Sequence, residues 1–173
     1  MTLVARLKVT LSDVEPQVLR RFDVPLKIRL SRLHEVIQAA MGWTDTHLYE
    51  FRAGGAGWGV PDPDGFYEGP LPASKTSLLD VMEDVGTKTI HYIYDFGDNW
   101  HHVIKVEKID DLKALQNFCQ RKLRNTNGSV TTGVHQYGLA TIGFTPGFPG
   151  YLFVFLRFGL SRPDGFFASI IMT

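Results

Sequence analysis

The chain has one cysteine, Cys119, so an intrachain disulfide and a cysteine-based metal site are both excluded. No apolar run reaches the roughly 18 residues that a membrane-spanning helix needs. The N-terminus, MTLVARLKVT, alternates like a strand and lacks the apolar centre of a secretory signal. A cytoplasmic protein with no membrane partner is expected. Neither GxGxxG after a strand nor GK[ST] occurs, so no phosphate loop is signalled, and there is no GxSxG for a hydrolase nucleophile. Acid is scarce in the last third: after Asp111 the only acidic residue is Asp164, against six bases. Residues 1–111 carry 17 acids and 12 bases, a net of −5, and the remainder carries +5. Six bases over 62 residues are no cluster, so the two halves are expected to neutralise each other within one fold.

At 173 residues the chain fits a single domain, 1–173, able to bury roughly 70% of its unfolded surface without a metal or disulfide. Leu7, Val9 and Leu11 alternate with Arg6, Lys8 and Thr10, which predicts a half-buried strand. A second strand over Val18–Val24 pairs with it. Helical spacing of Leu33, Val36, Ile37 and Ala40 predicts a helix over 31–41, with Ser31 as N-cap and Gly42 just past the end. A strand starts at Leu48 or Tyr49 and pairs with Trp58–Val60. Gly and Pro crowd the segment 54–77, and Asp62-Pro63-Asp64-Gly65 reads as a turn. Ser77, with Asp80 three residues on and Gly86 beyond, brackets a short helix. Asp110 is the expected cap of a helix over 111–123, where Cys119 reads as core. Tyr151–Phe158, YLFVFLRF, predicts a buried strand. Its apolar character, and that of the tail, implies core membership or self-association through the C-terminal segment.

The organising stretch is 88–109, KTIHYIYDFGDNWHHVIKVEKI. Two arms rich in Ile, Val, Tyr and Trp flank Gly-Asp-Asn, the pattern of a β-hairpin. Ile90, Tyr92, Tyr94 and Phe96 share one face of the first arm; in the second arm Trp100, Ile104 and Val106 share a parity, with His102 among them. A two-residue loop mixes these sets. A three-residue loop, Gly97-Asp98-Asn99, keeps them together and pairs Phe96 with Trp100, Tyr94 with His102 and Ile90 with Val106. Asn99 tolerates the left-handed conformation that closes such a loop. The opposite face then carries Asp95–His101 and His91–Lys105, and is expected to be partly exposed.

Asp95, Asp98, His101, His102 and His47 are residue types that bind Zn or Mn. Adjacent strand residues point to opposite faces, so His101 and His102 are not expected to share an ion. His102 reads as a buried core histidine, His47 as a loop-holding one, and Asp98 as a turn residue accepting backbone N–H groups. No metal and no cofactor are expected.

The sequence resembles the plasmid ORF-3-like proteins of pRiA4b type. The resemblance rests on YDFGDNWHHVIKVE (94–107), PQVLRRFDVP (16–25) and LHEVIQAAMGWTDTHLYEF (33–51), and spans about 6–109. Motif positions here are Arg21, Trp43, His47, Glu50, Phe51, Tyr94, Asp95, Phe96, Gly97, Asp98, Trp100 and His102; His101 falls at a variable one. The resemblance implies an α+β fold and a link to mobile DNA, and implies no activity or cofactor. Members continue with an acidic Pro-Pro-Glu-Asp-x-Gly-Gly segment that is missing here; PGFPGY (146–151) stands where a remnant would be. The segment 112–173 is therefore read as divergent, or as translated from a shifted frame; that idea fails if neither other frame restores the acidic motif.

The expectation is an α+β domain: an antiparallel sheet of about five strands, helices packed mainly on one face, and the hairpin 88–109 at its centre. The expected function is a non-enzymatic binding module for a protein or nucleic-acid partner, with Arg21, Trp43, Glu50, Tyr94 and Trp100 as binding candidates. The rival is a metal-dependent hydrolase or nuclease using Asp95, Asp98, His102 and His47.

Overall fold

The structure is a computed structural model that describes residues 3–62, 64 and 69–111, together with the strands 129–135, 138–144, 152–158 and 166–172. In order, the elements are β1 (Leu3–Leu11), β2 (Leu19–Pro25), α1 (Leu30–Met41), β3 (Tyr49–Ala53), β4 (Ala56–Gly59), β5 (Leu71–Pro72), α2 (Leu78–Val85), β6 (Thr89–Tyr94), β7 (Trp100–Asp111), β8 (Ser129–His135), β9 (Gly138–Phe144), β10 (Leu152–Phe158) and β11 (Phe166–Met172). Residues 3–111 build a seven-stranded run, β5-β4-β3-β6-β7-β1-β2, and β11-β10-β9-β8 continue it past β2. The sheet is thus larger than the expected five strands. It is also mixed, because β4 and β5 run parallel.

Alternation dictates which face is buried. Ala5, Leu7 and Val9 of β1 lie across from Val24 and Phe22 of β2 on one side, and from Val106 and Ile104 of β7 on the other. Ile90 and Tyr92 of β6, Phe51 of β3 and Trp58 of β4 extend the same face. With Leu33, Val36 and Ile37 of α1 and Leu78 and Val81 of α2 they form one core cluster. Each such fully buried aliphatic or aromatic side chain contributes roughly 1.5–3 kcal/mol.

Both helices stop at left-handed glycines, Gly42 at φ 77° and Gly86 at φ 70°. Ser77 and Asp80 form the expected capping box, with Asp80 N–H donating to Ser77 Oγ at 3.2 Å and Ser77 N–H to Asp80 Oδ2 at 2.7 Å. Ser31 is not a cap. The N-cap of α1 is Arg29, without a side-chain bond; instead Leu30 N–H donates to the Thr76 carbonyl and Ser31 N–H to that of Ala73. A neighbouring chain segment satisfies the first-turn donors that a serine hydroxyl otherwise would. Asp110, the expected cap of a helix over 111–123, is still in β7 and lies across from Val4. Residues 112–123 lie outside the described residues, as do the side chains that bear on self-association.

The hairpin strands keep their predicted faces from Ile90 to Tyr94 and from His102 to Val106, but Phe96, expected to pair with Trp100 on the apolar face, lies exposed in the loop, and the register changes. Tyr94 pairs with Trp100, Tyr92 with His102 and Ile90 with Ile104, two residues away from the expected pairing. The loop is 95–99. Strand pairing stops at Tyr94 because the Asp95 amide donates to the Leu48 carbonyl at 3.0 Å. Asp95 and Asn99 are both left-handed, at φ 58° and 57°. It is Asp95, rather than Asp98, whose carboxylate accepts a backbone donor, Gly97 N–H at 3.0 Å.

Candidate functional site

The hairpin end and the segment between α1 and β3 meet because Asp95 is tied to Leu48. That contact gathers most of the residues singled out from sequence. Trp43, one residue past the Gly42 cap, stacks on Tyr94 with ring centroids 5.0 Å apart and planes at 22°. Trp100 lies 6.0 Å from Trp43, and His102 meets Trp43 edge-on at 5.1 Å. His47 sits edge-on to Tyr94 at 6.0 Å, and its Nε2 is 3.6 Å from Asp95 Oδ2. Tyr94 is buried, and its hydroxyl accepts the Thr46 N–H at 3.0 Å. Outward, Leu48, Phe96 and Trp100 are exposed at 58%, 53% and 38%. Asp98 is exposed at the loop tip.

Arg21 and Glu50 do not join this cluster. Both lie on the opposite face of the sheet, where Arg21 Nε binds Glu107 Oε2 at 3.1 Å and Arg52 Nη2 binds Glu50 Oε2 at 2.6 Å. His102 is on the core face and fully buried. Its Nδ1 lies 3.1 Å from the Trp100 carbonyl and 3.4 Å from that of Tyr92, so the proton sits there. Its Nε2 is a buried lone pair with no hydrogen-bond partner. Burial pushes the imidazole down to about 4, against smaller upward pulls from the two carbonyls. Among the described residues no group of three or more His, Cys, Asp or Glu side chains could hold a metal ion.

Behind the aromatic cluster runs a polar chain that the sequence reading missed. Gln38 Nε2 donates to Tyr92 Oη at 3.0 Å. Tyr92 Oη is 2.7 Å from His34 Nδ1, and His34 Nε2 is 2.6 Å from Asp45 Oδ1. The Asp45 N–H returns to Gln38 Oε1 at 3.0 Å. One assignment satisfies every member: neutral His34 donates from Nε2 to Asp45 and accepts the Tyr92 proton at Nδ1. Burial holds His34 below its ordinary value despite the Asp45 carboxylate, which agrees with a neutral ring. Tyr92 is raised by burial, and burial with the nearby Asp45 charge lifts Tyr49, stacked 3.7 Å from His34, to about 12. The chain pins left-handed Asp45, at φ 54°, and so fixes the loop that carries Trp43 and His47. The available signal was two polar residues one helical turn apart, His34 and Gln38, inside the apolar stripe of α1.

A profile described as "Plasmid pRiA4b ORF-3-like protein" matches residues 3–137. The chain belongs to the plasmid pRiA4b ORF-3-like family. The match runs past Ile109, where the motif resemblance ends. The chain is 58% identical over 105 residues to the uncharacterized protein y4hQ of Sinorhizobium fredii (strain NBRC 101917 / NGR234), an alignment that covers 61% of this chain and 54% of y4hQ. It is also similar to the crystal structure of MM3350 from Methanosarcina mazei Go1, a protein of unknown function, with 35% identity, a TM-score of 0.56, and 63% of this chain and 62% of that one covered. The chain thus spans less than two thirds of either relative. Among the described residues, no helix is long and apolar enough to cross a membrane.

Proposed function

We propose that this pRiA4b ORF-3-like chain is a non-enzymatic binding module whose hairpin end takes a protein segment carrying a cationic side chain beside an apolar one. The observation that carries the reading is the exposure of Leu48, Phe96 and Trp100 around the carboxylates of Asp95 and Asp98. Exposed aromatics on a rigid support are the usual anchors of a protein interface. Three features supply the rigidity here: Tyr94 stacked under Trp43, Asp95 tied to Leu48, and Asp45 held by His34. Carboxylates beside an apolar patch favour a cationic partner and oppose a phosphate backbone, and residues 1–111 carry a net charge of −5. The link to mobile DNA rests on the family resemblance alone.

The test is titration of the full chain with short peptides that place Arg or Lys beside Leu or Phe, against charge-reversed controls, read by calorimetry. The expected result is saturable binding that weakens with salt, falls at least tenfold in Trp100→Ala and weakens in Asp98→Asn. Binding unaffected by Trp100→Ala, or binding of a single-stranded oligonucleotide in place of the cationic peptides, sinks the proposal. The hydrolase or nuclease alternative has the His47–Asp95 approach in its favour. It requires stoichiometric Zn or Mn that is lost in Asp98→Ala.

A further inference from the structure

His91 of β6 and His101 of β7 take no part in the hairpin end. They lie on the other face of the sheet, where His91 is opposite Val103 and His101 is opposite Ile93. That makes them diagonal cross-strand neighbours, within reach of each other for ring side chains. His91 Nδ1 is 2.9 Å from His101 Nε2. The ring centroids are 5.1 Å apart and the planes differ by 12°. The centroid separation exceeds the nitrogen gap by about two ring radii, so the rings lie edge to edge in nearly one plane. Two nitrogens of a two-stranded ladder therefore face a single point, with one proton between them.

A metal ion suits a position just beside the line between them. Zn–N bonds of roughly 2.0–2.1 Å place two cis imidazole nitrogens about 3 Å apart, which the existing spacing matches. No proton need be lost overall. When the donor ring shifts its proton to its outward nitrogen through solvent, both facing nitrogens present lone pairs, and a turn of about 45° in each ring directs them to an ion about 1.4 Å off the line between them. His91 is exposed and His101 half-buried, so the point is open to solvent. His91 also lines an open cleft of about 490 Å³ with Glu50 and Arg52. Glu50, the carboxylate in that cleft's wall, is engaged by Arg52 at 2.6 Å, which leaves the two imidazoles as the protein ligands.

We infer that His91 and His101 form a two-imidazole site for a first-row transition-metal ion of the Cu2+ or Zn2+ kind, with water completing the coordination. Imidazole suits these ions, and affinity rises towards Cu2+; Mg2+ and Ca2+, which prefer oxygen, are not expected to bind there.

The experiment uses the untagged full chain. Zn2+ titration by calorimetry should give one saturable site, with affinity lowered at least tenfold in His91→Gln and in His101→Gln. Copper loaded at one equivalent should show nitrogen superhyperfine splitting by electron paramagnetic resonance, and that splitting should vanish in the double variant. Neither side chain is fully buried, so the variants are expected to keep the wild-type circular dichroism and urea midpoint, and lost binding then reports the site. Non-saturable binding, or saturable binding and splitting retained in the double variant, overturns the inference. Peptide binding at the hairpin end is read separately, so the two proposals stand or fall independently.

Discussion

His102 permits the most demanding test, because its motif position invites a chemical role while its surroundings make it core. The ring is fully buried, its Nε2 has no hydrogen-bond partner, and burial holds it neutral down to about 4. In the unfolded chain the same ring titrates near 6.5. Between these values the unfolded chain binds a proton that the native chain refuses. Stability is therefore full above about 6.5, falls as pH drops through the window, and stops falling once the native ring protonates below about 4. At 1.36 kcal/mol per pH unit the whole window is worth about 3 kcal/mol, with about 2 kcal/mol already lost by pH 5. The assay is urea unfolding of wild type and His102→Gln at pH 7, 5 and 4. Groups common to both proteins cancel in the difference, including His34, which is also lowered by burial. The variant is expected to be less stable at pH 7, with its deficit shrinking by about 3 kcal/mol towards pH 4. A deficit that stays constant with pH would refute a neutral, buried His102.

Two further predictions follow from the same packing. Tyr92→Phe removes the hydroxyl shared by His34 and Gln38 and strands buried polar atoms on both. It should cost about 1–3 kcal/mol, measured as a shift of the urea midpoint. Ser77→Ala deletes one half of the α2 capping box and should cost about 1 kcal/mol, with Ser77→Gly costing only a few tenths; equal costs for the two would show that the cap does not stabilise the helix.

Much of the fold was legible because it depends on local periodicity. Alternation in 88–109 assigned Ile90, Tyr92, Tyr94, His102 and Ile104 to the core face, and they are there. Gly42, Gly86 and the Ser77–Asp80 box marked helix ends through backbone requirements that act within a few residues. The motif residues Trp43, His47, Tyr94, Asp95, Trp100 and His102 do come together. Arg21 and Glu50 were grouped with them by motif, although each stands at the opposite parity to a core neighbour, Phe22 and Phe51.

The register lay beyond the sequence for a physical reason. A slip of one residue turns every side chain to the other face, but a slip of two leaves the faces intact. Parity therefore determined the sides of the hairpin, while the Asp95–Leu48 hydrogen bond and two left-handed loop residues decided where pairing stops. That same shift of two places His91 beside His101; in the expected register His91 met Lys105. Likewise, the segment 73–76 that satisfies the first turn of α1 and the Gln38–Tyr92–His34–Asp45 chain join residues far apart in sequence. Composition and period determined the faces and ends of the elements, and three-dimensional contact alone decided which polar groups meet.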